Sequence, residues 1–264
     1  MTIRVTGHFG EWMQGRLGPD GPIVLVTIPC AALHVEAKRR GDGPLALAQT
    51  PDLLNVEMAK AFWDLIGGQE AHYQLRTNMP LGGGAGASTA ALLALARASG
   101  GDEAKLIDAC IATEGASDPL MLPHPDRVLW ASREGRVVRN IPILPRAEIV
   151  GGFWGPPTAT DPTDTDFPDI SDLVDRVLPD FGLEELAEIA SASARRCTAL
   201  RGPSDDPTEA LALSLGALGW CRAHTGSARG LIFEPGTVPD QAECSLLDAG
   251  LRQVLRFTTD GPSP

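Results

Sequence analysis

The 264-residue chain lacks the usual marks of a secreted, zinc-bound or membrane-spanning protein. Its five cysteines are odd in number and form no C-x-x-C pair. That argues against a disulfide framework or a structural zinc site and favours a cytoplasmic setting. No stretch approaches the ~20 uninterrupted apolar residues of a membrane span. The first residues, MTIRVTGHFGEW, have neither the apolar run nor the small-residue cleavage site of a signal peptide. Basic residues are scarce relative to acidic ones, 22 against 34, for a formal charge of -12. A field of that sign repels nucleic acid but still permits a locally positive pocket for a small phosphorylated ligand. What is present is ordinary for a globular chain: 43% hydrophobic and 21% charged residues. The length suits one large domain or two small ones sharing an interface. The expected partner is a small molecule, with no nucleic acid and no membrane.

Patterning predicts mixed secondary structure. Residues 22–40 are rich in β-branched residues and read as strands. Residues 53–66 carry apolar positions at helical spacing and stop before Gly67-Gly68. Residues 71–80 alternate like a strand. Small-residue and amphipathic helices are expected over 90–99 and 102–115, and a hairpin turns at residues 133–135. A strand follows over 147–154, and then a loop over 158–169 rich in Thr, Asp and Pro. Helices are expected over 172–178, 183–197 and 206–224. Residues 229–236 read as a buried strand, 245–257 as a helix leading into a strand, and 259–264 as a disordered tail. No repeating βαβ rhythm is seen, which favours α+β over a doubly wound sheet. A boundary near residue 145 divides the chain into 1–145 and 146–264.

Between a predicted strand and a predicted helix runs Pro80-Leu81-Gly82-Gly83-Gly84-Ala85-Gly86-Ala87-Ser88-Thr89. Glycines let the backbone turn its N–H groups toward one point, and a helix N-terminus adds unpaired donors and partial positive charge. The result is an anion site suited to a polyphosphate, in which Ser88 and Thr89 either cap the helix or reach a metal ion. A Walker A loop needs a Lys that is absent here, and the Gly82-x-Gly84 spacing lacks the context of a dinucleotide fingerprint.

Three further clusters recur at loops. His8-Phe9-Gly10-Glu11-Trp12-Met13-Gln14-Gly15 sets an acid and an amide between glycines and by itself reads as a surface turn. Glu114 and Asp118 stand four residues apart at a helix end, where such a pair can divide metal binding from hydroxyl recognition. The alternative for Asp118 is a helix cap. Residues 223–231, containing His224-Thr225-Gly226-Ser227, form a second small-residue loop before an apolar strand.

Taken in order, these blocks resemble the GHMP kinases, whose phosphate loop follows the pattern P-x-x-x-G-L-G-S-S-A. Within that family the blocks at 10–15, 84–90, 114–118 and 223–231, with Asp164-Thr165-Asp166-Phe167, are most similar to the propanediol-utilisation type of L-threonine kinase. The resemblance spans residues 10–231. It implies an N-terminal ATP-binding domain like ribosomal S5 domain 2 and a C-terminal ferredoxin-like domain, with the site between them. It also implies ATP-dependent phosphorylation of L-threonine, giving O-phospho-L-threonine for the cobalamin linker, with ATP and Mg²⁺ as cofactors. It admits a homodimer. By position, residues 80 and 82–89 cradle the phosphates, and Ser88 and Glu114 ligate Mg²⁺. Asp118 is then the general base. Glu11, Gln14, Thr225 and Gly226 contact substrate, and Arg16, Arg127, Arg133 and Arg229 are candidates for a substrate carboxylate.

Three positions depart from the family pattern. Ala87 replaces the first serine of the usual pair, Gly83 stands where the subfamily often has Lys, and His8 stands where distant members have Lys. Two other readings compete: a GHMP kinase for another alcohol such as homoserine, and a catalytically silent protein of the same fold.

Overall fold

The computed structural model describes residues 1–158, 160–179 and 181–259; of the expected tail, residues 260–264 lie outside these. Among the described residues ten strands form one sheet: β1 (Thr2–Arg16), β2 (Ile23–Gly41), β3 (Ala46–Thr50), β4 (His72–Thr77), β5 (Val128–Ala131), β6 (Arg136–Asn140), β7 (Glu148–Phe153), β8 (Gly219–Arg222), β9 (Ala228–Phe233) and β10 (Arg252–Thr258). Their order is β10-β7-β9-β8-β1-β2-β4-β3, and the β5–β6 hairpin joins the edge of β2. Pairing is antiparallel except between β3 and β4. The helices are α1 (Val56–Ile66), α2 (Ala87–Ser99), α3 (Leu106–Glu114), α4 (Ser171–Asp175), α5 (Leu183–Arg201), α6 (Thr208–Leu215) and α7 (Ala242–Asp248). The architecture is the expected mixed α+β fold.

Local chemistry explains the main elements. In α1 the Asn55 side chain accepts the Glu57 N–H, and Gly67 closes the helix with φ 66°. Helix α2 is made of small and aliphatic residues and is buried on most of its circumference, with Leu92, Leu93 and Leu95 fully enclosed. It packs against β1, β2 and β4, so its N-terminus is fixed relative to β1. Helix α5 covers β8 and β1 from the other half of the chain.

Sequence patterning misses three features. The segment read as a surface turn is the interior of β1, with Phe9 fully buried and His8 only 2% exposed. Register shifts between Thr6 and Gly7, His8 and Glu11, and Glu11 and Met13 break its alternation. The short strand β3 was not expected at all. The helix expected over 206–224 ends at Leu215, where Gly216 takes a left-handed conformation (φ 68°), and the next residues enter the sheet as β8.

β1 and β8 share a single register pair, Glu11 with Arg222. The junction between the two ends of the sheet therefore leans on side-chain packing. The Phe9 ring meets Phe153 and Phe257 edge-on, each with centroids 5.6 Å apart. It lies over Gly151 and Gly230, where a Cβ would come within 2.6 and 3.0 Å of it. Burial of this ring ties β1 to β7, β9 and β10. Phe9→Ala is expected to lower the unfolding free energy by about 3–5 kcal/mol, read by urea denaturation. A loss below about 1 kcal/mol would show that the junction is held elsewhere.

Candidate active site

The glycine loop connects β4 to α2, and most of its carbonyls are taken up by hydrogen bonds. Pro80 O accepts from Gly83 N, Gly82 O from Thr158 N, and Gly83 O from Ala228 N. Gly84 O accepts from Gly10 N (3.2 Å), Ala85 O from His8 N (3.1 Å), and Gly86 O from Ala90 N. The N–H groups of Gly84, Ala85 and Gly86 have no partner among the described residues, and those of Ala87, Ser88 and Thr89 begin α2, where no helical acceptor exists. With its carbonyls tied back and its amides open, the loop is a preformed anion cradle at a positive helix end. Gly86 precedes α2 with φ 70°, and no side chain caps the helix. Ser88 and Thr89 are therefore not caps.

The second small-residue loop lies directly against the first. A Cβ on Gly226 would fall 2.1 Å from Gly84 N. Only glycine permits this approach, and Ala228 N–H then reaches Gly83 O at 2.9 Å.

A cleft of about 540 Å³ opens above the loop. Glu114, the last residue of α3, accepts a hydrogen bond from Thr89 Oγ1 at 3.0 Å, and the Ser88 hydroxyl lies close enough to favour its ionised form. Asp118 precedes a short turn but makes no capping bond. Instead its Oδ2 lies 3.3 Å from His8 Nε2. His8 Nδ1 is 3.2 Å from Gly10 O and 3.9 Å from Glu11 Oε1. Glu11 Oε2 accepts the His224 N–H at 3.3 Å. The β1 bulge puts His8 and Glu11 on one side of the strand, which strict alternation would forbid.

Burial and mutual charge perturb these groups. For His8, burial alone would lower the imidazole, but Asp118 and Glu11 outweigh it and carry the pKa up to about 9. Burial raises Glu11 to about 7 against the pull of His8. Burial likewise raises Glu114 to about 7, opposed by the Ser88 and Thr89 hydroxyls and reinforced by Asp118. At neutral pH His8 is thus a buried cation between two acids.

Most of the expected site residues converge here. Pro80, Gly82, Gly83, Gly84, Ala85, Gly86, Ala87, Ser88 and Thr89 all line the cleft, with Glu11, Gln14, Glu114, Asp118 and Thr225. Gly226 does not; it lines an adjoining cavity. Among the candidate arginines only Arg133 reaches the cleft, where it donates to the carbonyls of Asp161 and Asp164. Arg16 is held by the carbonyls of Gly21 and Thr165, and Arg127 lines neither cavity. Arg229 faces the adjoining cavity paired with Asp206 at 2.5 Å. The Asp164–Phe167 block works as a clasp: Asp164 pairs with Arg201 at 2.6 Å, and Phe167 stacks on His224. Sequence reasoning missed Arg222, which also lines that adjoining cavity. It lay inside the helix expected over 206–224, although the helix-stopping Gly216 was a visible warning.

The donor set suits a hard cation. Two hydroxyls and a carboxylate meet at the helix N-terminus beside the cradle, all oxygen ligands. Among the described residues no cluster of three His, Cys, Asp or Glu could hold a metal by itself. Mg²⁺ bound through few protein oxygens and ligand phosphates fits this arrangement.

No family model and no curated protein matches the sequence. The architecture does have solved counterparts, with which it shares its fold over nearly the whole chain. Mevalonate kinase from methicillin-resistant Staphylococcus aureus MRSA252 aligns with a TM-score of 0.61 and 16% identity, over 98% of this chain and 99% of its own. L. major mevalonate kinase, solved with R-mevalonate, aligns at 0.63 and 10% identity over 100% and 98%. A phosphotransferase related to the CoA biosynthesis pathway aligns at 0.64 and 14% identity over 98% and 95%. Among its own described residues, the present chain has no helix long and apolar enough to cross a membrane.

Glu114 provides a test with a definite sign. Its folded pKa, about 7, lies above the ordinary 4.5, so its ionisation begins to cost stability as pH rises past 4.5, and the full cost is reached above 7. Glu114→Gln removes that cost and keeps an acceptor for Thr89. The variant is expected to melt above the parent at pH 8 without metal, by an equivalent of about 3 kcal/mol, with the gap closing near pH 4. A variant melting below the parent at pH 8 would mean that the carboxylate itself holds the fold.

Proposed function

We propose that the chain is an ATP-dependent kinase that phosphorylates the hydroxyl of a small molecule, with L-threonine as acceptor and O-phospho-L-threonine as product. The observation that carries this reading is the glycine loop, whose carbonyls are tethered outward and whose amides open into a cleft bearing two carboxylates. The solved counterparts include kinases named for mevalonate, one of them holding R-mevalonate, which supports phosphoryl transfer to an alcohol. The choice of threonine rests on the resemblance of the Glu114–Asp118 and Asp164–Phe167 blocks, and the product's destination in cobalamin synthesis rests on the same ground. So does a division of labour near residue 145, with the phosphate loop in the first part and Thr225 and Gly226 in the second.

In this reading the amides of residues 84–89 bind the nucleotide phosphates. Ser88 and Glu114 hold Mg²⁺, and Thr89 orients the Glu114 carboxylate. The ion, when bound, neutralises charge developing on the phosphoryl oxygens. Asp118 accepts the hydroxyl proton as the acceptor oxygen bonds to the γ-phosphorus and the bond to the β-bridging oxygen breaks. His8 orients Asp118 across 3.3 Å and supplies the positive charge that a lysine supplies in distant family members. Glu11 and Gln14 border the acceptor, and Thr225 closes the site from the opposite side. Catalysis then rests on alignment and preorganised charge.

The direct test is transfer from Mg-ATP to L-threonine, L-homoserine and mevalonate, followed by ³¹P NMR. O-phospho-L-threonine is the expected principal product. A faster reaction with homoserine would reassign the acceptor, and bound Mg-ATP without transfer to any alcohol would contradict the kinase reading.

Asp118→Asn separates a base from a merely structural residue. Asn keeps size and one acceptor but takes no proton at neutral pH. With a folded protein, kcat is expected to fall by at least about 10², while KM for ATP changes little. Retention of half the parental kcat would remove Asp118 from proton transfer.

A further inference from the structure

Asp118 stands on a segment without helical support. Gly115, at φ 70°, closes α3, and Asp118 makes no capping bond to the short turn that follows it. Its carboxylate lies in the cleft beside His8, so the backbone that carries it sets its position. That backbone is pinned at the preceding residue, Ser117, which is buried. Ser117 N donates to Ser132 O at 2.9 Å. Ser117 O accepts from the indole N–H of Trp130 at 2.7 Å. The Ser117 hydroxyl donates to Asp118 O at 3.1 Å. Both backbone polar groups of Ser117 are therefore held by residues 130 and 132, at the end of the β5 strand.

Trp130 is the rigid member of this pair of tethers. Its side chain is fully buried. It packs with Leu25 and Val128, and Ile107, Met121 and Leu122 close around them. Ile107 belongs to α3, before the Asp118 segment, and Met121 and Leu122 follow it. Leu25, which pairs with Trp130 between β2 and β5, is itself part of the cleft wall. The ring is thus locked under the cleft from several sides. A buried indole N–H needs an acceptor, and a bond lost there leaves both partners unsatisfied. Trp130 lines neither cavity, so anything it contributes to the chemistry passes through Ser117.

We propose that Trp130 is a positioning residue for Asp118: its indole N–H holds the Ser117 carbonyl and so fixes the neighbouring carboxylate against His8 and the reacting hydroxyl. The hydroxyl in that statement rests on the kinase reading; the placement of Asp118 against His8 is tested without it.

Trp130→Phe keeps an aromatic ring in the small core and removes the N–H. Two readouts go beyond packing, and a thermal melt confirms folding. The first is the titration of the His8 imidazole, followed by ¹H–¹⁵N NMR. Burial lowers this imidazole's pKa, and Asp118 leads the groups that raise it, with Glu11 and the Gly10 carbonyl adding to it. Loosening Asp118 is expected to move the His8 midpoint down by about one pH unit or more. The second is the transfer assay, in which kcat is expected to fall about tenfold or more while KM for ATP stays within about twofold. Should the Phe variant not fold, Trp130→benzothienylalanine, which keeps the fused ring and lacks the N–H, decides in its place. An unmoved His8 midpoint in a folded variant overturns the proposal, as does a parental kcat where the parent is active. If the parent transfers no phosphate, a lowered midpoint still supports the tether and the kinase reading alone fails. If the parent is active and the variant's midpoint is unmoved, the tether alone fails.

Discussion

Two backbone hydrogen bonds from β1 to the glycine loop, His8 N to Ala85 O and Gly10 N to Gly84 O, set the geometry on which the site depends. They hold the loop by its carbonyls and so leave its amides pointing into the cleft. β1 can make these bonds because it bulges between His8 and Glu11 and because Gly10 takes φ 66°. The same bulge turns His8 and Glu11 to one side. Backbone tethering and placement of the charged cluster are thus one structural event. The other tethers come from Thr158 and Ala228, which belong to the second half of the chain, so the cradle is completed only when both halves are folded.

The charged cluster follows from that placement. His8, Glu11 and Asp118 share a poorly solvated region in which unlike charges attract strongly. A neutral His8 would leave the buried Glu11 and the half-buried Asp118 without a compensating charge between them, so the imidazole keeps its proton well above its ordinary range. Glu114 lies a short distance away and depends on two hydroxyls in place of a cation. Apart from the imidazole of His8, Arg133 is the cation on the cleft wall, and it is tied to main-chain carbonyls. The positive potential that the cradle offers an anion therefore comes mainly from amide dipoles and the α2 terminus.

Much of this was legible in the sequence where the signal was local. Helices α1, α2 and α3 follow from caps, glycine stops and apolar spacing, and the glycine loop follows from its position between a strand and a helix. β1 was not legible, because Gly7, Gly10 and Gly15 look like turn residues and the bulges erase the period of two. Helix α6 was overextended because Ala217 and Leu218 continue an apolar pattern beyond Gly216, whose left-handed backbone ends it. Arg222 was hidden inside that overextended helix, and its surroundings are assembled from α5 and the β8–β9 region, a meeting that no linear spacing records. Asp118 as a pure helix cap was a reasonable alternative on sequence alone, and the absence of any capping bond removes it.

The central claim is that open amides of the glycine loop bind the phosphates of a nucleotide. Backbone ¹H–¹⁵N NMR of the protein with and without Mg-ATP tests it most directly. The account predicts that the largest shifts and slowed amide exchange fall on Gly84, Ala85, Gly86, Ala87, Ser88 and Thr89. Nucleotide binding that leaves those amides unmoved would contradict it.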